Sequence, residues 1–310
     1  MVPSAGLEPA LPKRARILSP LCLPIPPRGH NDNLYYFDYF FKLVIKQIVN
    51  KCFNISYNFN LLLIKFYKWK IEKFFKKNLI HFIISHYDEN FNYINFLPKN
   101  QKIYIYIKKK IKSKNLPKQE NIKIIFLPNY GREYQTYLYH IKSNYYKLAN
   151  INFFTIGSFC NQKQMQKLKN FRKVYGKISD IFRKKYKGLY TSEYDSVFYK
   201  IKYLKDLKLK KTINKNFVIE KHFHRKKIIY LKKAKIRPMD KWFKYYFKKK
   251  SYYHLSSMNG IFGANKKNIL QIPKKKIDII EIEYRKKNIS YESGHYLERL
   301  YPSVFHKCQN

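Results

Sequence analysis

The sequence predicts an α/β protein in which partly parallel strands form a sheet and helices cover it. Three observations favour this class. Short runs are apolar or alternate between polar and apolar residues, a helical pattern lies between two of these runs, and the connecting loops have the lengths usual in such proteins. Strands that alternate with a helix favour parallel neighbours, because the crossover returns the chain to the same end of the sheet. With 310 residues, the chain is long enough to bury a sizeable core.

Organised alternation begins near residue 80, and four strands are predicted from there. The run at 79–85 is apolar, and the run at 102–109 alternates strictly between polar and apolar residues. A third strand is predicted at 121–129, where Pro128 closes it, and a fourth at 151–157. The last two enclose the helical pattern.

That helix is predicted to follow the third strand and to be amphipathic. Its apolar residues recur at the spacing of one helix face. The apolar face comprises Tyr134, Leu138, Ile141 and Tyr145, and the more polar face comprises Glu133, Tyr137, His140 and Asn144.

The turn before this helix is the first candidate binding site. Asn129 is a good helix cap, and Gly131 permits backbone angles that other residues avoid. The first helical turn offers free N–H groups and a positive dipole end, and Arg132 adds a fixed positive fork. Together with Glu133, these residues are predicted to hold a phosphate or diphosphate. The alternative is that Gly131 only makes the turn and Arg132 pairs with a carboxylate.

Asp88 and Glu89 form the second candidate site. They follow the first strand, and ligands of open α/β sheets bind beyond the carboxyl ends of the strands. Such acids could bind a sugar hydroxyl, a nucleobase or a divalent metal. The alternative is a solvated loop whose acids cap a helix.

The middle of the chain, 160–235, is rich in lysine and has no sharp motif. It is predicted to be an insertion of helical hairpins with a solvated charged face. A helix that contains Trp242, Phe243 and Tyr246 is predicted to begin after Pro238.

The formal net charge of +46 suggests a polyanionic partner, but the composition favours another explanation. Lys far outnumbers Arg, and Ile, Asn, Phe and Tyr are also enriched. All five have A/T-rich codons, so an A/T-biased genome would give this composition without selection for binding. A dedicated nucleic-acid reader would use more Arg, so no specific nucleic-acid partner is expected. The 4 cysteines have neither zinc-site nor CxxC spacing and fit a reducing, cytoplasmic compartment.

The amino-terminal segments differ from the rest of the chain. Residues 1–30 hold more than half of the 13 prolines and no Phe, Tyr or Asn, so we expect a start codon assigned too early and a disordered segment. Residues 31–78 are basic and apolar but too interrupted to span a membrane. They could be a peripheral amphipathic membrane helix, a helix that packs on a partner, or sequence from outside the natural protein.

Five phrases occur in an order that resembles the uncharacterised domain of unknown function 3431 family, over about residues 80–306. They are HFIISHYDENFNYI, IIFLPNYGREYQTYLYHIKSNYYKLANINFFTIG, RPMDKWFKYYF, NGIFGANKKNILQIPKKK and ESGHYLERLYPSVF. The sequence departs from that family's pattern at five places. His86 stands for its Arg, Asp88-Glu89-Asn90 for its Asn-Glu-Asp, Ile156 for its Gln, Asn265-Lys266 for its Ser-Arg, and Tyr301 for its Trp.

The resemblance implies a single Rossmann-like domain similar to nucleotide-sugar glycosyltransferases, with a Lys-rich helical insertion and a role in surface polysaccharide synthesis. It implies that Asp88 and Glu89 contact the donor nucleotide and Arg132 its diphosphate. Glu298 would be the acid or base near a glycan acceptor, and Arg299 would orient it. No Asp-x-Asp follows a strand to hold Mn²⁺, so no metal site is predicted. The alternatives are a non-catalytic member of the family and a basic nucleic-acid-binding protein.

Overall fold

The computed structural model describes residues 33–109, 116–180, 188–191, 215–222, 227–248, 260–284 and 291–305. The segment 1–30, expected to be a misassigned start, lies outside the described residues. The chain divides into two compact units, Met1–Asn54 and Ile55–Asn310. The second unit contains the sheet and every candidate site residue.

Eight strands form the described β structure. In chain order they are β1 (Ile80–His86), β2 (Lys102–Ile107), β3 (Ile122–Phe126), β4 (Ile151–Ile156), β5 (Leu189–Thr191), β6 (Phe217–His222), β7 (Lys227–Lys232) and β8 (Phe262–Asn265). The predicted strands at 79–85, 102–109, 121–129 and 151–157 are confirmed as β1 to β4, each within a few residues of its predicted ends.

The main sheet has six strands in the order β3-β2-β1-β4-β8-β5. The pairs β1–β2, β1–β4 and β2–β3 are parallel, whereas β8 runs antiparallel to both β4 and β5. The prediction of an α/β sheet with partly parallel strands is therefore confirmed. The chain moves outward from β1 to β3 and then crosses to β4 on the other side of β1. This reversal creates a topological switch point between β1 and β4, where open α/β sheets bind ligands.

Seven α-helices are described, and they cover both faces of the sheet. They are α1 (Asn33–Phe74), α2 (Arg132–Ser143), α3 (Met165–Ser179), α4 (Met239–Phe247), α5 (Lys266–Ile269), α6 (Lys274–Ile282) and α7 (Glu292–Phe305). Ile83 and Phe154 pack with α2, α4, α6 and α7 in one core. Their neighbours Phe82 and Phe153 point to the opposite face and pack with α1 and α3. The alternation of side chains along each strand thus builds a three-layer core.

The predicted helical insertion at 160–235 is only partly correct. Its first part is helix α3, but β5 joins the main sheet beside β8, and β6 and β7 form a separate antiparallel hairpin. Tyr190 is buried against the sheet, and Val218 and Leu231 are buried in the hairpin. Apolar residues among the lysines therefore place part of this segment in β structure. The helix predicted after Pro238 is confirmed as α4, in which Trp242, Phe243 and Tyr246 are buried.

The expected polar face of α2 is wrong. Tyr137 and His140, which were assigned to that face, are fully buried, as are Tyr134 and Ile141 on the apolar face. The reason is that α2 lies between two layers: one side contacts β1, and the other packs on α6 and α7. Inside this packing, the Tyr106 hydroxyl and His140 Nδ1 form a hydrogen bond of 2.8 Å.

Helix α7 is fixed against α2 at its first turns. The buried carboxylate of Glu292 accepts from the Ala234 amide at 3.0 Å and from Arg237 Nε at 3.1 Å. A Cβ at Gly294 would lie 2.1 Å from the Tyr134 ring, so only glycine allows the helices to approach this closely. The Tyr301 hydroxyl donates to the Tyr134 carbonyl at 2.6 Å. These contacts hold the next turn of α7 beside the start of α2.

Candidate functional site

The turn between β3 and α2 has an unusual backbone. Gly131 is the helix N-cap with φ +46°, and Arg132 follows with φ +49°, so two successive residues are left-handed. Only glycine adopts this region freely, and strain in a residue such as Arg132 is often found at functional sites. The turn from strand to helix was predicted, but the assignment of Asn129 as cap is wrong, because α2 has no side-chain cap hydrogen bond.

Both the left-handed backbone angles and the lack of room for a Cβ require glycine at position 131. A Cβ on this residue would lie 2.8 Å from Tyr284 Cβ and 2.9 Å from Gln135 Cβ, both shorter than real contacts. Tyr284 is fully buried against the Tyr134 ring, with ring centroids 4.9 Å apart. Buried side chains therefore pack against the turn, and the turn cannot shift to make room for a Cβ at Gly131.

Lys108, directly after β2, holds the same turn through hydrogen bonds from its side chain. Its Nζ donates to the Tyr130 carbonyl at 2.5 Å, to the Arg132 carbonyl, and to Gln135 Oε1 at 3.2 Å. Burial lowers the pKa of the Lys108 amine to about 7. The three oxygen acceptors match the three N–H groups of the ammonium form, because a neutral amine would have only two to donate.

This lysine begins a buried polar chain that reaches α6. Gln135 accepts from Lys108 and donates through Nε2 to Glu281 Oε1 at 3.1 Å. Glu281 is almost fully buried, and its second oxygen lies 3.5 Å from Lys142 Nζ. The chain ties the carboxyl end of β2, the first turn of α2 and helix α6 together, so the candidate site rests on a rigid support.

Two acids on different helices, Glu133 on α2 and Glu298 on α7, interact electrostatically beside this turn. Burial and the neighbouring Glu298 carboxylate raise the pKa of Glu133, while Arg132 and His295 oppose the rise. His295 Nδ1 lies 3.4 Å from Glu298 Oε2, one turn away on α7. One carboxyl with a raised pKa beside a second carboxyl is an arrangement that lets a site hold and release a proton.

Tyr137 and Gly260 complete the surroundings of the acid pair. The Tyr137 hydroxyl is buried and has no hydrogen-bond partner among the described residues, and burial, followed by the Glu133 and Glu298 carboxylates, raises the pKa of this phenol. A Cβ at Gly260 would lie 3.2 Å from Glu133 Cγ and 3.7 Å from the Tyr137 hydroxyl. A polar ligand group could supply the hydrogen bond that this buried hydroxyl lacks.

Glu89 lies at the switch point between β1 and β4. Its Oε2 accepts from the amides of Tyr87 at 2.7 Å and Asp88 at 3.2 Å, and it lies 3.6 Å from His86 Nδ1. A Cβ at Gly157, just after β4, would lie 3.1 Å from the same oxygen. Gly157 therefore leaves room for this carboxylate to bridge the two strand ends.

Asp88 points outward from the same loop. Its Oδ2 lies 2.6 Å from Lys109 Nζ, and both side chains are largely exposed. Asn90, two residues after Asp88, caps a 3-10 helix at Phe91–Phe96 by accepting from the Asn92 amide at 3.0 Å. The loop thus offers one accessible carboxylate, Asp88, while Glu89 is partly committed to its own backbone.

His86, which stands where the related pattern has Arg, belongs to the core. It is fully buried, its ring stacks on Phe91 with centroids 4.3 Å apart, and its Nδ1 lies 3.0 Å from the Tyr93 hydroxyl. Burial lowers the pKa of His86, which favours the neutral ring. This position therefore offers no positive charge to a ligand.

The sequence-predicted residues fall into two groups at one end of the sheet. Asp88 and Glu89 follow β1 at the switch point, and Glu133 and Glu298 meet beside the Arg132 turn. Lys108 links the groups, because its amide donates to the His86 carbonyl at 3.0 Å while its amine holds the turn. Arg299 lies on α7, but its side chain is outside the described part of the chain.

Sequence reasoning missed Lys108, His295 and Tyr137. Lys108 stands in the run Lys108-Lys109-Lys110, which has the pattern of a solvated charge cluster. His295 precedes Glu298 by three residues, a helical spacing that would have suggested the contact. Tyr137 was assigned to the more polar face of the helix, and only the packing of α7 shows that it is buried.

Among the described residues, no group of three His, Cys, Asp or Glu side chains is arranged to hold a metal ion. Two surface cavities, of about 460 and 510 Å³, lie at the opposite, amino-terminal end of the parallel strands. They are lined by Asn150 and Lys266 in one case and by Asn78 and Lys102 in the other. They are separate from the acid pair.

Comparison of the chain with family models, with curated proteins and with solved structures found no match. The functional argument therefore depends on the geometry of the site itself and on the resemblance of the motifs.

Proposed function

We propose that the protein is a glycosyltransferase-like enzyme that uses a nucleotide sugar. The observation that carries the proposal is the pair Glu133 and Glu298 beside the left-handed Arg132 turn, at the carboxyl end of the parallel strands. An acid pair supplies proton transfer, and an exposed arginine at a helix start supplies a counter-charge for a diphosphate. The resemblance to the domain of unknown function 3431 family supports the same function by analogy.

In this proposal, the nucleotide lies across the switch point and the sugar lies near α7. The diphosphate contacts Arg132, and Asp88 contacts the nucleoside. An acceptor hydroxyl oxygen forms a bond to the anomeric carbon, and the bond from that carbon to the diphosphate breaks. The hydroxyl proton moves to Glu298, and the electron pair leaves with the diphosphate, whose charge Arg132 balances. Glu133, whose pKa is raised, keeps the acid pair from carrying two negative charges.

Release of nucleoside diphosphate tests this proposal. The full chain is incubated with a panel of UDP- and GDP-sugars and oligosaccharide acceptors. We expect turnover of one donor, and Glu298→Gln is expected to slow it by about 10²–10⁴-fold while donor binding persists. Glu120→Gln, at an exposed residue near the amino-terminal end of the strands, is the matched control. Turnover that is equal in wild type and Glu298→Gln would remove Glu298 from the mechanism.

A non-catalytic role is the second candidate, and one observation favours it. Glu89, which the resemblance implies as a donor contact, already accepts two hydrogen bonds from its own loop. The same panel separates the two functions. A donor that binds without any release of diphosphate in the wild-type protein would favour the non-catalytic role.

A further inference from the structure

The outward face of α1 carries a continuous apolar stripe. It consists of five side chains that are each between 49% and 63% exposed, and we call them the α1 stripe: Ile55, Phe59, Leu62, Phe66 and Trp69. Their spacing of four and three residues places them along one side of four helical turns, a length of about 21 Å. Phe66 and Trp69 stack on each other with ring centroids 5.8 Å apart.

The stripe cannot turn inward, because the opposite side of α1 is already committed to the core. Ile64, Ile71 and Phe75 are buried against the sheet and α3. A Cβ at Gly176 on α3 would lie 2.9 Å from the Tyr67 ring, which shows how closely the two helices approach. The Tyr57 hydroxyl donates to the Cys160 carbonyl at 2.7 Å. The stripe therefore remains exposed as long as the domain is folded.

Positive charge accompanies the stripe. From Ile55 to Lys77 the chain carries six lysines and a single acid, Glu72. Glu72 is partly buried and accepts from the Lys99 amide at 2.8 Å, so it adds little negative charge to the outward face. Lys73 Nζ lies over the Trp69 ring at 5.1 Å, and Lys76 is exposed at the end of the helix.

A second copy of this chain fits the stripe less well. Five half-exposed side chains of this size bury roughly 500 Å², whereas a stable dimer needs about 800 Å² on each partner. Self-association would also bring Lys65 and Lys73 of the two copies together, on molecules that each carry a formal net charge of +46. An anionic surface removes this repulsion and covers the apolar side chains.

We propose that the α1 stripe docks onto an anionic lipid surface, with the aromatic side chains among the acyl chains near the headgroups and the flanking lysines on the lipid phosphates. This inference is independent of the proposed enzymatic function. It requires no membrane span, and no described helix is long and apolar enough to form one.

The chain offers a direct optical test, because it contains 2 tryptophans in different settings. Trp69 is on the stripe and about half exposed, whereas Trp242 is fully buried in α4. The full chain is mixed with vesicles of phosphatidylglycerol and phosphatidylcholine, and with vesicles of phosphatidylcholine alone. We expect the emission to shift to the blue only with the anionic vesicles, and Trp69→Phe to abolish the shift. No shift, or a shift that survives in Trp69→Phe, would overturn the inference.

Vesicle flotation measures the binding itself. Leu62→Gln/Phe66→Gln is expected to weaken partitioning by about tenfold or more, because two apolar side chains are lost from the contact. Ile279→Gln/Ile282→Gln changes two equally exposed apolar residues on α6 and should bind like wild type. Both pairs are exposed, so folding is preserved. Equal binding by the two variants would contradict a role of the stripe.

Charge is tested separately. Lys73→Glu/Lys76→Glu should reduce binding to anionic vesicles by about tenfold, since each basic residue near the surface contributes to the attraction. Lys274→Glu/Lys275→Glu, which changes two exposed lysines on α6, should have little effect. Equal loss in both variants would mean that general net charge, rather than the α1 stripe, drives binding. A dimer that forms through the stripe and does not float with vesicles would also overturn the inference.

Discussion

The protonation of Glu133 is linked to the stability of the fold. Its pKa is raised above the ordinary value of 4.5, so the folded state holds a proton that the unfolded chain would release. The stabilising contribution of this proton is fully present below pH 4.5 and is lost as pH rises through the folded-state pKa. Burial is the largest cause of the shift, and the neighbouring Glu298 carboxylate adds to it, so the protonation of the two acids is linked.

We predict that Glu133→Gln flattens the decline of the melting temperature as the pH rises above 4.5, because glutamine cannot lose a proton. Scanning calorimetry across this range measures the effect. Glu120→Gln, at an exposed position, should retain the wild-type slope. A slope that is unchanged in Glu133→Gln would mean that Glu133 does not hold a proton in the folded state.

Substitution of Gly131 and substitution of Arg132 should change the stability of the fold in opposite directions. Gly131→Ala places a Cβ 2.8 Å from Tyr284 Cβ in a left-handed backbone and should cost about 1–3 kcal/mol. Arg132→Gly relieves a left-handed non-glycine residue and should stabilise the fold by about 1 kcal/mol. Urea unfolding of the two variants gives both free energies. Destabilisation of similar size in both would contradict the left-handed turn.

Lys108 joins two elements of the fold, because it follows β2 and its side chain bonds the turn at the start of α2. Lys108→Met leaves the carbonyls of Tyr130 and Arg132 without their donor, so the first turn of α2 should open more often. We predict that amide hydrogen exchange at residues 133–135 becomes about tenfold faster. Lys109→Met, which removes only an exposed ion pair, is the control and should leave this exchange unchanged.

The elements that local sequence patterns define were predictable. β1, β2, β4 and α2 could be recognised because their own residues alternate or recur at the helical period. β8 could not, because its Phe262–Asn265 strand is short and contains Gly263, and it is a strand only through its pairing with β4 and β5. The burial of Tyr137 likewise depends on helix α7, which lies far away in the sequence.

The candidate site was partly predictable for the same reason. Arg132 and Glu133 could be assigned because they begin a recognisable helix after a recognisable strand. The meeting of Glu133 with Glu298 arises from the close approach of two helices at Gly294, and no local pattern encodes that contact. The resemblance of the motifs, rather than periodicity, suggested Glu298.

At the scale of the whole molecule, α1 divides into two parts with different roles. Its residues from Ile55 onward belong to the unit that contains the sheet, and Ile64 and Ile71 are fully buried there. We predict that removal of residues 1–54 leaves a cooperative unfolding transition, whereas removal of residues 1–78 lowers the melting temperature strongly by exposing the core that α1 covers. Calorimetry of the two truncated chains tests this, and equal transitions would show that α1 adds nothing to the core.

The central claim is that the turn at Arg132 and the acid pair beside it bind a nucleotide sugar. The most direct measurement is the melting temperature of the full chain with nucleoside diphosphates, nucleotide sugars or short duplex DNA, with and without Mn²⁺. We expect a rise with one nucleotide sugar that is lost in Arg132→Ala and kept in Lys147→Ala, which changes an exposed lysine beyond the far end of α2. A rise with DNA alone that disappears at high salt would contradict the central claim, and would make the net charge of +46 the functional feature.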